Sequence, residues 1–401
     1  MNEALILKLI LVFYALYIGI KLFVNLSQIR FLTTFAAETD GFDANEMSNA
    51  KEYAIAKEKF SIYETIYEMF IFLFWVFAGL SIIAPLISSN EIFTQTLAVS
   101  AFLAINFFLE IPLKIAAVFG LDKKFGFTKT TVSLFISDKI KELLITLVIG
   151  GVLSFAAIYF ISSFELWWLF VFALIASFIV IANIVYPNFI APIFNKFEKL
   201  DNEEITTGLK DLAKKSGFEL NEIYRVDAGK RDTRLNAYFA GLGRTKRVAL
   251  YDTLLEKLSK EQLFAVVAHE LGHFKKKHIF DLMGIMFFEF FWLCYILGTL
   301  STPFYSSLGL TNNGAGAIVI FLLLSAPAMY LTMPFVNGIY KKNEFEADGY
   351  AAQMGLKESM IEALKTLAKE NKAFPYASKL KIFFDYTHPP ITQRIERLKG
   401  I

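Results

Sequence analysis

Two of the chain's four histidines, His269 and His273, lie four positions apart in the stretch AVVAHELGHFKKKHIF. On a helix that spacing puts both imidazoles on one face, close enough to hold a single ion. Glu270 projects about a quarter-turn aside, where it reaches a metal-bound water without binding the metal. Two neutral histidines on Zn2+, with a carboxylate to take the proton of a coordinated water, make the chemistry of a zinc hydrolase. Zinc lowers the pKa of such a water to about 7. HExxH also arises by chance, as a pair of helix-surface histidines facing solvent. Half of this chain's histidines at the required spacing, with small Gly272 between them, weigh against that.

A catalytic zinc needs a third protein ligand and an open fourth position. NEFEADGYA, further along, supplies the candidate. Glu344 and Asp348 are four apart and share a helical face, with Glu346 pointing nearly opposite. Glu344 is assigned as ligand, and Asp348 as the carboxylate that orients a ligand histidine. The bland alternative is a solvated acidic helix following a membrane span. His278 lies five after His273, off the ligand face, and reads as an interfacial residue beside Lys275, Lys276 and Lys277. The single cysteine, Cys294, excludes an internal disulfide and a thiolate metal cluster, and reads as packing in an apolar run.

These residues need elements to position them. With 55% hydrophobic residues the chain is too apolar for an ordinary soluble enzyme, and a net charge of only +2 points to no nucleic-acid partner. Seven apolar stretches approach or exceed the length of a bilayer crossing: roughly 4–26, 63–87, 92–119, 141–162, 166–187, 279–300 and 315–337. Lys and Arg concentrate in alternate loops: Arg30, Lys51, Lys57 and Lys59 after the first span, then Lys123, Lys124, Lys129 and Lys139 after the third. The loop after the fifth and the tail after the seventh are also basic. The intervening loops SSN, SSFE and STPFYSSLGLTNN carry none. Basic loops stay cytoplasmic, so the C-terminus and the histidine-bearing segment are placed there, and the N-terminus opposite.

Between His273 and Glu344 the chain crosses the membrane twice, through spans six and seven, and returns to the same side. The expected organisation is therefore 1–186, five spans with their loops; 187–278, a cytoplasmic part carrying HELGH; 279–340, a membrane hairpin; and 341–401, a cytoplasmic part with the third ligand. YRVDAG and RVALYDT alternate as short strands, with LNAYFAGLGRTK between them as a third strand plus turn. SKEQLFAVVAHELGHF reads as a helix capped by Ser259, with Gln262 closing a capping box.

HELGH, a membrane hairpin, NEFEAD and then THPPITQRIERL together resemble the type I CAAX prenyl endopeptidase family, a class of integral-membrane gluzincin metalloproteases. LNAYFAGLGRTKRVALYDTLLE is similar to that family's stretch before its zinc helix, and the likeness covers nearly the whole chain. It implies an all-α membrane fold of seven transmembrane helices forming a barrel-like, water-filled chamber, with a small cytoplasmic α+β protease domain. It implies one Zn2+ per chain on His269, His273 and Glu344, with Glu270 as general base. It implies that His388 of the His-Pro-Pro motif steadies the oxyanion and that Asn236 borders the substrate backbone. Arg394 matches the arginine after that motif, placed on the substrate-binding side or pairing near Asp348 or Glu270. Where eukaryotic members have Ser-Arg-Arg before the glutamate motif, this chain has Tyr340, Lys341 and Lys342, which keep charge but lose bidentate pairing. The implied reaction is peptide hydrolysis at the C-terminal tripeptide of a lipidated protein. A membrane-protein quality-control protease indifferent to prenylation remains open on the sequence, and a silent zinc scaffold is the rival outside the enzymes.

Overall fold

The computed structural model describes residues 2–35, 43–240 and 245–401, side chains of 240, 245 and 246 excepted. Among the described residues, seven helices are long and apolar enough to cross a membrane: Glu3–Thr34, Ala44–Ile87, Ile92–Asp122, Val132–Ser163, Trp167–Phe194, His278–Thr299 and Gly314–Glu370. Each contains one of the expected apolar stretches, but several run far beyond it. The second begins at Ala44, before any sustained apolar run, and the fifth continues to Phe194. Hydropathy marks the part of a helix that meets lipid. The helix itself persists where strong helix formers continue, as in ANEMSNAKEYAIAKEK. Asp43 starts that helix by accepting from the amides of Asn45 and Glu46 at 2.8 and 3.2 Å.

The spans bury one face against each other and leave the other apolar and bare. Ile10, Tyr14, Trp75, Ile83, Phe102 and Ile320 belong to the shared core. Val148, Val152, Phe77 and Phe288 stand outward and exposed, as side chains facing hydrocarbon do. Trp75 is fully buried, and its indole Nε1 donates to Asn106 Oδ1 at 2.8 Å, tying the second span to the third.

A four-stranded sheet lies between spans five and six in sequence: β1 Phe197–Lys199, β2 Glu219–Val226, β3 Ala237–Ala240 and β4 Thr245–Tyr251, in the order β1-β2-β4-β3. β2 and β4 run parallel, and the outer pairs are antiparallel. The three expected strands are present. β1, three residues long, is too short to show alternation in sequence. The turn expected at 241–244 lies outside the described residues. The helix Lys260–Lys275 packs Leu263, Val267 and Leu271 into a second core with Leu220, Val248 and Leu250 of the sheet.

One expected boundary falls inside a regular element. A single helix, Gly314–Ala351, runs through 340 and 341, so the seventh span and the third-ligand segment are one rigid element. The C-terminal part is also anchored on membrane helices. Ser378 N donates to Gln28 Oε1 at 2.8 Å, and Lys381 Nζ reaches Glu58 Oε2 at 2.7 Å and Asn25 Oδ1 at 2.9 Å. Gln28, Tyr53, Asp122, Arg234, Lys381 and His388 are among the residues lining a cavity of about 830 Å3 between these parts.

Candidate metal centre

The helix Lys260–Lys275 begins where its sequence says it should. Ser259 Oγ accepts from Gln262 N at 3.2 Å, and Gln262 Oε1 accepts from Ser259 N at 2.9 Å. Three turns on, its buried face meets the long helix Gly314–Ala351. Gly272 makes that approach possible: a Cβ there would stand 3.0 Å from Ala347 Cα and 3.1 Å from its carbonyl oxygen. The contact brings His269 and His273 opposite Glu344.

The ligand atoms converge. His269 Nε2 and His273 Nε2 are 3.2 Å apart. Glu344 Oε1 is 3.2 Å from His273 Nε2, and Oε2 is 3.6 Å from His269 Nε2. Zinc–nitrogen bonds of about 2.0–2.1 Å in a tetrahedral site put ligand atoms roughly 3.3 Å apart. Glu344 Oε2 is buried and has no hydrogen-bond donor among the described residues. A buried acceptor without a donor is costly unless a cation satisfies it. The residues present therefore fit a tetrahedral metal ion with one position left over, and they form the metal-competent group among the described residues.

Behind the ligands is a layer of charge. His269 Nδ1 lies 2.8 Å from Asp348 Oδ1. Arg394 grips the same carboxylate with Nε on Oδ2 at 2.8 Å and Nη2 on Oδ1 at 2.7 Å, while its Nη1 approaches Glu344 Oε2 at 3.3 Å without hydrogen-bond geometry. Only 8% of Arg394 is exposed. Its guanidinium is spent on Asp348, and the placement on the substrate-binding side gives way to the pairing with Asp348. Burial pulls the His269 pKa down, but the hydrogen bond and charge of Asp348 outweigh it and leave the ring more basic than usual.

Glu270 has no hydrogen-bonded or ion-paired partner among the described residues, and burial raises its pKa above the usual carboxylate range. A free, desolvated carboxylate next to the ligand pair is placed to exchange a proton with water. His388 comes in from the C-terminal segment, with Nε2 3.3 Å from Glu344 Oε1 and Nδ1 2.9 Å from Thr387 Oγ1. Its side chain is 61% exposed, yet its pKa is lowered, first by burial. Both hold because the ring lines the cavity, where it borders open space but protein walls surround it. Asn236 is exposed at the start of β3. Its Oδ1 accepts from Ala237 N at 2.9 Å, and none of its described contacts reaches the metal group. β3 itself is an edge strand, paired to β4 on one side.

His278 overturns its expectation. It is 3% exposed, not interfacial, with Nδ1 2.9 Å from His273 Nδ1 and Nε2 3.3 Å from Glu346 Oε2. Lys277 takes φ 60 and ψ 31, so one helix stops and the next starts within the lysine run. Counting five residues along a continuous helix therefore put His278 on the wrong side. A run of three lysines carries no sign of a left-handed turn, and no spacing rule would have found this residue.

Comparison with known proteins places this geometry. Residues 199–401 match the family model for Peptidase family M48, and residues 28–196 match that for CAAX prenyl protease N-terminal, five membrane helices. CAAX prenyl protease 1 of Saccharomyces cerevisiae is 30% identical over 396 residues, covering 90% of this chain and 87% of the relative. The CAAX prenyl protease 1 homolog of Dictyostelium discoideum is 30% identical over 397 residues, covering 95% and 92%. The human homolog is 27% identical over 335 residues, covering 72% and 70%. The crystal structure of S. mikatae Ste24p superposes with a TM-score of 0.88 at 25% identity, covering 99% of both chains.

Proposed function

The chain belongs to peptidase family M48 and carries the CAAX prenyl protease N-terminal membrane region, and from that premise we propose that it removes the C-terminal tripeptide of prenylated CAAX proteins. It is an integral-membrane metallopeptidase. The observation that carries the proposal is the convergence of His269, His273 and Glu344 beside His388, which itself lines a cavity of about 830 Å3 reaching into the spans. His269, His273 and Glu344 would hold one Zn2+, with Asp348 positioning His269 and Arg394 gripping Asp348. Bound there, zinc supplies a Lewis acid for the scissile carbonyl and lowers the pKa of a coordinated water.

The protein's own groups do the rest. The substrate chain lies extended along the free edge of β3, where main-chain hydrogen bonds fix its register beside Asn236. Glu270 takes a proton from the attacking water as the C–O bond forms. His388 Nε2–H faces the oxygen on which negative charge develops. Glu270 then returns the proton to the departing amine as the C–N bond breaks. The lipid chain occupies the cavity between the spans. The basic loops support a cytoplasmic position for this end of the molecule, with the N-terminus on the opposite side of a bacterial inner membrane or an endoplasmic reticulum membrane.

The test is cleavage of one CAAX peptide, farnesylated and unfarnesylated, by purified wild type and Glu270→Gln. Wild-type cleavage of the farnesylated form alone, lost in the variant, is the expected result. Equal cleavage of both forms would replace this reading with a general membrane-protein protease.

A further inference from the structure

The two histidines of the metal group are backed differently. His269 Nδ1 meets the Asp348 carboxylate directly at 2.8 Å. His273 Nδ1 meets another imidazole, His278 Nδ1, at 2.9 Å, and that ring meets Glu346 Oε2 through Nε2 at 3.3 Å. We propose that His278 and Glu346 are positioning residues that fix the tautomer of His273 and so set the affinity of the site for zinc. The inference rests on the metal-holding part of the proposed function.

The hydrogen-bond arithmetic allows one arrangement. His273 must offer the lone pair of Nε2 to the metal, so its proton is on Nδ1. That N–H needs an acceptor, and the atom facing it is His278 Nδ1. His278 must therefore leave Nδ1 bare and carry its own proton on Nε2. That proton then needs an acceptor, and Glu346 Oε2 is there. The reverse arrangement, with His278 Nδ1–H donating to His273, would put a proton on His273 Nε2 and aim it at the metal position. Glu346 selects against it, because a carboxylate accepts and an unprotonated His278 Nε2 would face it lone pair to lone pair. A carboxylate thus stands behind each ligand histidine, one in contact and one through a ring.

Three features of the chain make this possible. The left-handed Lys277 turns the chain so that His278 faces back toward His273. His278 is 3% exposed, so water does not compete for its Nδ1. Glu346 is two residues from Glu344 on the same helix, which carries a ligand on one face and the remote acceptor on another. Partners of this kind raise ligand basicity and hold ring orientation, and losing one typically lowers metal affinity about 10–100-fold.

The test uses full-length protein in detergent, stripped of metal and titrated with zinc against a chromophoric chelator, so activity is not the readout. His278→Leu removes the acceptor at similar bulk and is expected to weaken zinc binding about 10–100-fold. His278→Asn restores an acceptor, because its Oδ1 stands where Nδ1 stood, and is expected to recover most of that loss. Glu346→Ala is expected to weaken binding by less than His278→Leu. A His278→Leu protein with wild-type affinity overturns the inference, as does His278→Asn binding as poorly as His278→Leu. If His278→Leu fails to fold, Glu346→Ala decides, since the Glu346 side chain is 37% exposed and dispensable for packing; wild-type affinity there also overturns it. Wild-type protein that takes up no zinc sinks the metal site together with this inference. Zinc uptake without cleavage of any prenylated peptide sinks the substrate reading alone.

Discussion

Arg394 is buried and Glu270 partly so, both close to the metal group, yet their surroundings assign them opposite tasks. Glu270 has no hydrogen-bonded or ion-paired partner among the described residues, so its carboxylate is free to move a proton. Glu270→Gln keeps the shape and removes the base. It should lower kcat by about 10²–10⁴-fold with zinc content unchanged, as measured by turnover beside metal analysis. Arg394 grips Asp348 at two points. Arg394→Lys keeps the charge but cannot reproduce the two-point grip. It should weaken zinc binding toward the lower end of a 10–100-fold range and leave KM of the zinc-saturated enzyme at the wild-type value. A raised KM with unchanged zinc affinity would return Arg394 to the substrate side.

At the scale of elements, the site depends on one helix crossing and one turn. Gly272 lets the helix Lys260–Lys275 approach Ala347 closely, and Gly272→Ala must push the two helices apart by tenths of an ångström. Because the proposed ligands come from both helices, the shift opens the ligand set. Zinc affinity should fall while overall unfolding changes little, and equal zinc affinity would show the crossing to be compliant. Lys277 holds φ 60, which costs a residue with a Cβ about 1–2 kcal/mol. Lys277→Gly should raise stability by about 1 kcal/mol without loss of zinc, read from thermal unfolding of the metal-free protein. These two positions also mark where the sequence was readable and where it was not. His269, His273 and Glu344 could be placed because i, i+4 spacing and an even number of membrane crossings are local rules that hold inside regular elements. The capping box at Ser259 was readable for the same reason. His278 was misread because a left-handed lysine left no compositional trace. Spans were found but underestimated in length, because hydropathy reports the lipid-facing part and not where hydrogen bonding stops. β1 was invisible because its pairing with β2 is a tertiary fact.

At the scale of the whole molecule, the protease half and the membrane half are joined by charge buried between them. Lys381, on the C-terminal segment that leads into His388, reaches Glu58 of the second span at 2.7 Å and Asp385 at 2.8 Å. Side-chain exposure of the Lys381–Glu58 pair is 10% and 8%, so the pair is shielded from water. Asn25 of the first span adds a hydrogen bond at 2.9 Å. This knot fixes where the His-Pro-Pro segment crosses the cavity, and so where His388 meets Glu344. Removing one partner leaves an uncompensated buried charge, which costs about 3–5 kcal/mol, whereas removing both charges is often nearly neutral. Lys381→Met should therefore lower the unfolding temperature strongly, and Lys381→Met with Glu58→Gln should recover much of the loss. Activity should recover less than stability in the double variant, because the remaining contacts hold the segment without holding its register. A double variant as unstable as the single one would show that packing, not the buried pair, seats the C-terminal segment on the spans.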